Sequence, residues 1–214
     1  MAIKPPEFPN GLRTGTIESD VREAIKTGEG IENCRFEGGA LDGIDTGLLD
    51  FSGCVFIGVH FGACAVDRLH FTDCRLVRCD LSGLRLREGA LRRVALEGCR
   101  AAGAQFEGMI LRDAAFYDCD LRYAGFSRCR MQDAAFADVR LDRSIFHSCA
   151  KKGLLLERCD LTEAELVGSP LQGVDLSTCT LDGLRAAPAL LAGTTAALDQ
   201  APALLGLFGI RLKV

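Results

Sequence analysis

The chain has 214 residues, 29 acids against 25 bases, and a formal net charge of −4. That length suits one domain with its ends, and the mild acidity argues against direct nucleic-acid binding. No run of 18 apolar residues occurs, so no membrane span is expected, and eleven cysteines, an odd number, do not suit a secreted disulfide scaffold. A reducing cytoplasm is the expected setting.

Residues 1–30 form an N-terminal segment and cap. Three prolines and a closing Asn-Gly make "MAIKPPEFPNG" extended or loose. Ser19 or Asp20 is expected to cap a short helix over Val21–Lys26 that stops at Gly28. Such a helix would cover the exposed strand edge of whatever follows.

From Ile31 to Leu181 every fifth residue is apolar, Thr46 and Lys151 excepted. Two residues before each stands a second series, mostly small, which holds all eleven cysteines from Cys34 to Cys179. A period of five is neither helical nor that of a plain strand. Two positions separated by one residue face the same way in extended chain, so a fresh pair every five residues requires a corner in each block. The pattern therefore predicts a solenoid with two side chains per block inside and three outside. The cysteines are expected to be buried, reduced and structural, because a buried thiol packs as a small hydrophobe. Lys151, the one charged inner position, is expected to swing outward at a local distortion.

The blocks "CRFEG", "CDLSG", "AAFYD", "CDLRY" and "CDLTE" resemble those of the pentapeptide-repeat family, and the resemblance covers about 155 of the 214 residues. It implies an all-β fold, a right-handed quadrilateral β-helix with 20 residues per coil. Residues 31–184 would make about eight coils, a rod of roughly 37 Å.

With 20 residues per coil, outward positions 20 apart stack as columns. Asp80, Arg100, Asp120, Arg140 and Asp160 form one column and are expected to act as a salt-bridge ladder. Val55, Arg75, Ala95, Ala115, Ala135 and Leu155 form another, an apolar outer face and candidate contact surface.

Residues 185–214 leave the frame as a C-terminal helical tail. Asp199 suits an N-cap, Pro202 a first turn and Gly209 a C′ position, which predicts a helix that buries Ala201, Leu204, Leu205, Leu207 and Phe208. "IRLKV", starting at Ile210, alternates like a strand. This tail resembles that of the topoisomerase-directed Qnr-type and MfpA-type members of the family. The resemblance implies a tail-to-tail homodimer through Leu204, Leu205, Leu207, Phe208 and Ile210.

No catalytic, cofactor-binding or metal-binding residue is expected. His60, Cys64, His70 and Cys74 have a spacing reminiscent of zinc ligands, but the frame points the cysteines inward and the histidines outward. No phosphate-binding loop or metalloprotease motif occurs, and a loop-free solenoid lacks a cleft, so an enzyme is not expected. The resemblance implies a DNA-mimicking rod that binds DNA gyrase or topoisomerase IV and protects it from quinolones or natural-product poisons. Its expected contacts are Asp120, Asp142, Asp160, Glu163 and Asp182. The alternative is a general interaction scaffold that docks a partner on the apolar face from Val55 to Leu155.

Overall fold

An apolar residue at every fifth position is buried only if the chain turns once per block. The computed structural model, which describes residues 3–62 and 64–213, places that turn two residues after the inner side chain. In the coil that starts at Ala90 the corners are Arg93, Gly98, Gly103 and Gly108, with φ of 51°, 59°, 69° and 64°. Every non-glycine residue with positive φ among the described residues stands at such a corner, from Asn33 to Glu163. None is β-branched, because a branched Cβ meets the neighbouring carbonyl in the left-handed region.

Four corners give four walls. In this coil wall A is residues 90–92, wall B 95–97, wall C 100–102 and wall D 105–107. Successive coils pair in parallel with a 20-residue register, as in Ala90↔Ile110↔Arg130↔Ala150. The result is a β-solenoid of about nine turns with a short C-terminal helix. It exceeds the expected eight because the stack extends beyond residues 31–184 at both ends. Arg13–Gly15 pairs with Cys34–Glu37 at one end, and Arg185–Ala186 pairs with Glu165–Val167 at the other. An Asp175↔Thr195 bridge follows, and the five-residue step persists through Ala186 and buried Leu191.

The interior follows the two series. Every apolar residue of the five-step from Ile31 to Leu181 is buried, and full burial of a Phe or Leu contributes about 1.5–3 kcal/mol. Phe106, Phe126 and Phe146 stack face to face on one wall at 4.7 and 4.8 Å between centroids. All eleven cysteines are buried and free. Cys74, Cys99, Cys119 and Cys129 donate from Sγ to the carbonyls of Phe51, Leu76, Leu96 and Phe106 at 3.2–3.5 Å. Burial pushes the Cys64 thiol up to about 11, with Asp42 adding to the effect. Kept protonated, the Cys64 thiol serves as a weak donor to the Leu41 carbonyl of the rung before it.

Both ends are closed by their own residues. Helix α1 spans Ile17–Thr27, buries Ile17 and Val21, and ends as expected at Gly28, whose φ is 74°. Its start differs: Thr16 is the N-cap, and Asp20, inside the first turn, accepts the Thr16 N–H at 2.9 Å while pairing with Arg13. At the far end the expected Asp199 cap is replaced by Gln200. The buried Gln200 amide donates from Nε2 to the carbonyls of Leu176 and Cys179 at 2.7 and 2.5 Å. It satisfies acceptors that a further rung would otherwise have taken.

Lys151 leaves the interior, but without the expected distortion: its strand keeps the Met131↔Lys151 register and its Nζ donates to the Gln172 carbonyl at 2.6 Å. A cavity of about 20 Å³, lined by Met131, Leu156, Leu166 and Leu171 among others, marks the place its apolar counterpart would fill.

The corner geometry predicts a backbone-only cost at Gly103. A Cβ there meets nothing within 4 Å, yet φ is +69°. Gly103→Val should lower stability by about 1–2 kcal/mol, read as a lower urea midpoint. An unchanged midpoint would remove the corner constraint.

Candidate interaction faces

Wall C carries the expected ladder as a stack. His60, Asp80, Arg100, Asp120, Arg140, Asp160 and Thr180 bridge rung to rung. Its ion pairs differ from the expected alternation. Arg100 reaches back to Asp80 at 2.9 Å, but Asp120 is held within its own rung by the Arg122 fork at 2.8 and 2.7 Å. Arg140 leans toward Asp142 at 3.9 Å rather than toward Asp160. Two residues along one strand lie on the same face, so a long Arg competes successfully with the next rung.

The five expected contact residues lie together along wall C and its corner. Glu163 pairs with Arg143 at 2.9 Å, and Arg143 also donates to the Tyr123 hydroxyl at 2.8 Å. Asp160 accepts only the Thr162 N–H, at 3.0 Å, and neither Asp160 nor Asp182 forms an ion pair among the described residues. The Arg122 guanidinium holds the Asp120 carboxyl below its usual range, burial opposing it and the Arg122 N–H assisting. Because the folded-state pKa is depressed, this stabilisation is present above the ordinary carboxylate range and lost as pH falls through the folded value. Pairs missed by sequence reasoning include Asp73–Arg93 and Asp138–Arg158. Both join residues 20 apart, so the column arithmetic contained the signal.

Wall B holds the expected apolar column, but part of it is already covered. An extended N-terminal arm crosses the coils. Lys4 donates its N–H to Asp113 at 3.1 Å, and Glu7 donates to Asp73 at 3.0 Å. Those carboxylates occupy one corner column two rungs apart. Ile3, Pro5, Pro6 and Phe8 border a groove of about 300 Å³ with Ala95, Ala115 and Tyr117. The face expected to dock a partner thus receives the chain's own arm, and Leu155 is the exposed apolar residue of that column, at 38%, beside exposed Arg75.

The tail is shorter and barer than expected. Helix α2 spans Ala201–Gly206, with Pro202 in its first turn and no buried residue. Leu204 and Leu207 pack partly against the core, whereas Phe208 and Leu212 are 66% and 55% exposed. Leu205 is half-buried and Ile210 is exposed. The expected strand is not formed by residues 210–213, which have no neighbouring strand in a single chain; Val214 lies outside the described residues.

His60 and His70 lie outside the wall while Cys64 and Cys74 lie inside it. Among the described residues, no group of three or more His, Cys, Asp and Glu is placed to hold a metal, and no helix is long and apolar enough to cross a membrane.

The repeat and its walls define a family. The model described as Pentapeptide repeat region matches residues 49–126 and 89–166, and that described as Pentapeptide repeats (8 copies) matches 152–183. The chain belongs to the pentapeptide-repeat family. No curated protein sequence matches it. Among solved structures it is similar to a trypsin-treated variant of QnrB1, a plasmid-mediated fluoroquinolone resistance protein. Identity is 23% over 87% of this chain and 91% of that one, with a TM-score of 0.48. Full-length QnrB1 matches at 22% identity over 94% and 99%, with a TM-score of 0.40. HetL of the cyanobacterium Nostoc sp. strain PCC 7120, involved in heterocyst differentiation regulation, matches at 16% over 83% and 93%, with a TM-score of 0.32.

The Asp120–Arg122 fork predicts a titration. Arg122→Gln should move the Asp120 carboxyl upward toward its ordinary range, followed by side-chain NMR. An unmoved midpoint would show that the fork does not persist in solution.

Proposed function

We propose that the protein is a rod-shaped decoy for a type II topoisomerase, DNA gyrase or topoisomerase IV, and protects it from quinolone or natural-product poisons. One observation carries the reading: the carboxylates of Asp120, Asp142, Asp160 and Asp182 lie along one wall of the solenoid, and they become freer of arginine toward the tail. Nine turns at about 4.8 Å make a rod of about 43 Å. Two rods joined at their tails would present such a surface over a length comparable to roughly 25 base pairs at 3.4 Å each. Carboxylates on that wall would stand where phosphates meet a basic enzyme surface, and electrostatics would steer the encounter. Arg122, Arg140 and Arg143 mute part of this charge, so Asp160 and Asp182 are its strongest elements.

The exposed apolar tail supports the homodimer. Phe208→Asp with Leu212→Asp removes no side chain that the single chain buries, yet it places charge where two tails would pack. Light scattering should report a monomer for this variant and a dimer for the parent. A dimer that survives would place the interface elsewhere.

The decoy reading is tested by neutralising Asp142, Asp160, Glu163 and Asp182 to Asn or Gln in a variant that folds and dimerises normally. Gyrase affinity should fall about tenfold or more at low salt, and parent binding should weaken as salt rises. Parent-like binding by the variant would reject acidic mimicry.

A further inference from the structure

Wall A, opposite the acidic wall, has a different character. Arg92 and Arg112 are register partners on neighbouring rungs, and Lys152 follows two rungs on, with Gln132 between. Arg130 stands in the parallel column with Ile110 and Ala150. Lys151 emerges beside them, its ammonium on the Gln172 carbonyl. From His70 to Gln172 no acid occupies an outward position of this wall. The near carboxylates are at its corners: Asp73, paired with Arg93, Asp133, and Asp113, which is 4.0 Å from Arg112 and accepts the Lys4 N–H, on one side, and Glu88 on the other. Arg92, Arg130 and Lys152 are exposed and form no ion pair among the described residues.

We infer that wall A is a binding face for the phosphodiester backbone of nucleic acid, contacted by Arg92, Arg112, Arg130, Lys151 and Lys152. The chain's net charge of −4 conceals this face, because its acids lie mainly on the other walls and at the corners. Rungs about 4.8 Å apart put Arg92 and Lys152 about 14 Å apart along the axis, the reach of several phosphates on one strand. Guanidinium forks match phosphate oxygens bidentately and are weakly hydrated. Between the charges the floor is Ala150, Ile110 and Gln132, without an aromatic, and over it lies an open depression of about 420 Å³ that Arg92, Arg112, Arg130, Lys151 and Lys152 also line. Five cationic side chains rim that depression, so it suits an anionic backbone better than the apolar anchors that dominate protein interfaces, and it gives no aromatic platform on which bases stack. Contacts limited to phosphates make the binding independent of base sequence. The inference does not rest on the topoisomerase reading, since it concerns the other wall and a different ligand.

The test is fluorescence anisotropy of a labelled 20-base-pair duplex with the full chain at several salt concentrations. About four phosphate contacts would weaken binding on the order of 100-fold between 50 and 200 mM salt. Arg92→Gln, Arg112→Gln and Arg130→Gln together should reduce affinity at least tenfold at 50 mM and flatten the salt slope. The matched control, Arg100→Gln, Arg122→Gln and Arg140→Gln on wall C, makes the same change in net charge and should retain binding. Circular dichroism confirms that both variants fold. Equal loss in the two variants would reduce the effect to overall charge and overturn the assignment. So would the absence of parent binding at 50 mM. A 20-residue polyglutamate that binds as tightly as the duplex would also overturn it, making wall A a site for acidic polypeptide.

Discussion

The recurring left-handed corner is the constraint on which the molecule depends. It turns the chain once in five residues, so one wide and one small side chain from each block enter a narrow interior. Arg78, Arg93, Tyr123 and Arg128 hold this conformation at φ of 51–59° without being glycine. Each such corner costs on the order of 1 kcal/mol, offset by the buried Phe or Leu and by the ladder bonds between rungs. The cysteines belong to the same scheme. A thiol is small enough for the inner position and can still donate to a carbonyl of the preceding rung, as Ser169 does to Phe146 at 3.0 Å.

A fixed corner also sorts the surface. Positions 20 apart share a column, and a column presents whatever its residues carry to one side of the rod. Asp73–Arg93, Arg143–Glu163 and Asp138–Arg158 are ion pairs made by that stacking alone. Exposed pairs of this kind add little stability, about 0.2–1 kcal/mol each. Their greater consequence is to remove charge from some columns and leave others bare. Wall C keeps free carboxylates near the tail, and wall A keeps free arginines and lysines in the middle coils.

The interior was legible from the residues because burial repeats with the frame: all eleven cysteines and the whole Phe and Leu series fell where the five-step put them. The columns of wall C were legible for the same reason. The ion pairs within it were not, since the choice between the next rung and a neighbour two residues along depends on side-chain reach, as Arg122 on Asp120 shows. The arm over wall B was not legible, because Pro5, Pro6 and Phe8 carry no periodicity that names their landing site. Beyond Leu184 the step continued through Ala186 and Leu191, but small residues and Pro188 obscured it. Gln200 gave no signal as a plug, because a lone polar residue acquires that meaning only beside the carbonyls it satisfies.

The proposed occupation of a topoisomerase in place of DNA has a direct readout. Gyrase is mixed with supercoiled plasmid and a fluoroquinolone, and the linear DNA released from cleavage complexes is measured as the protein is added. Linear DNA should fall with increasing protein, and the fall should be lost in the variant neutralised at Asp142, Asp160, Glu163 and Asp182. Cleavage that stays constant across the titration would contradict it.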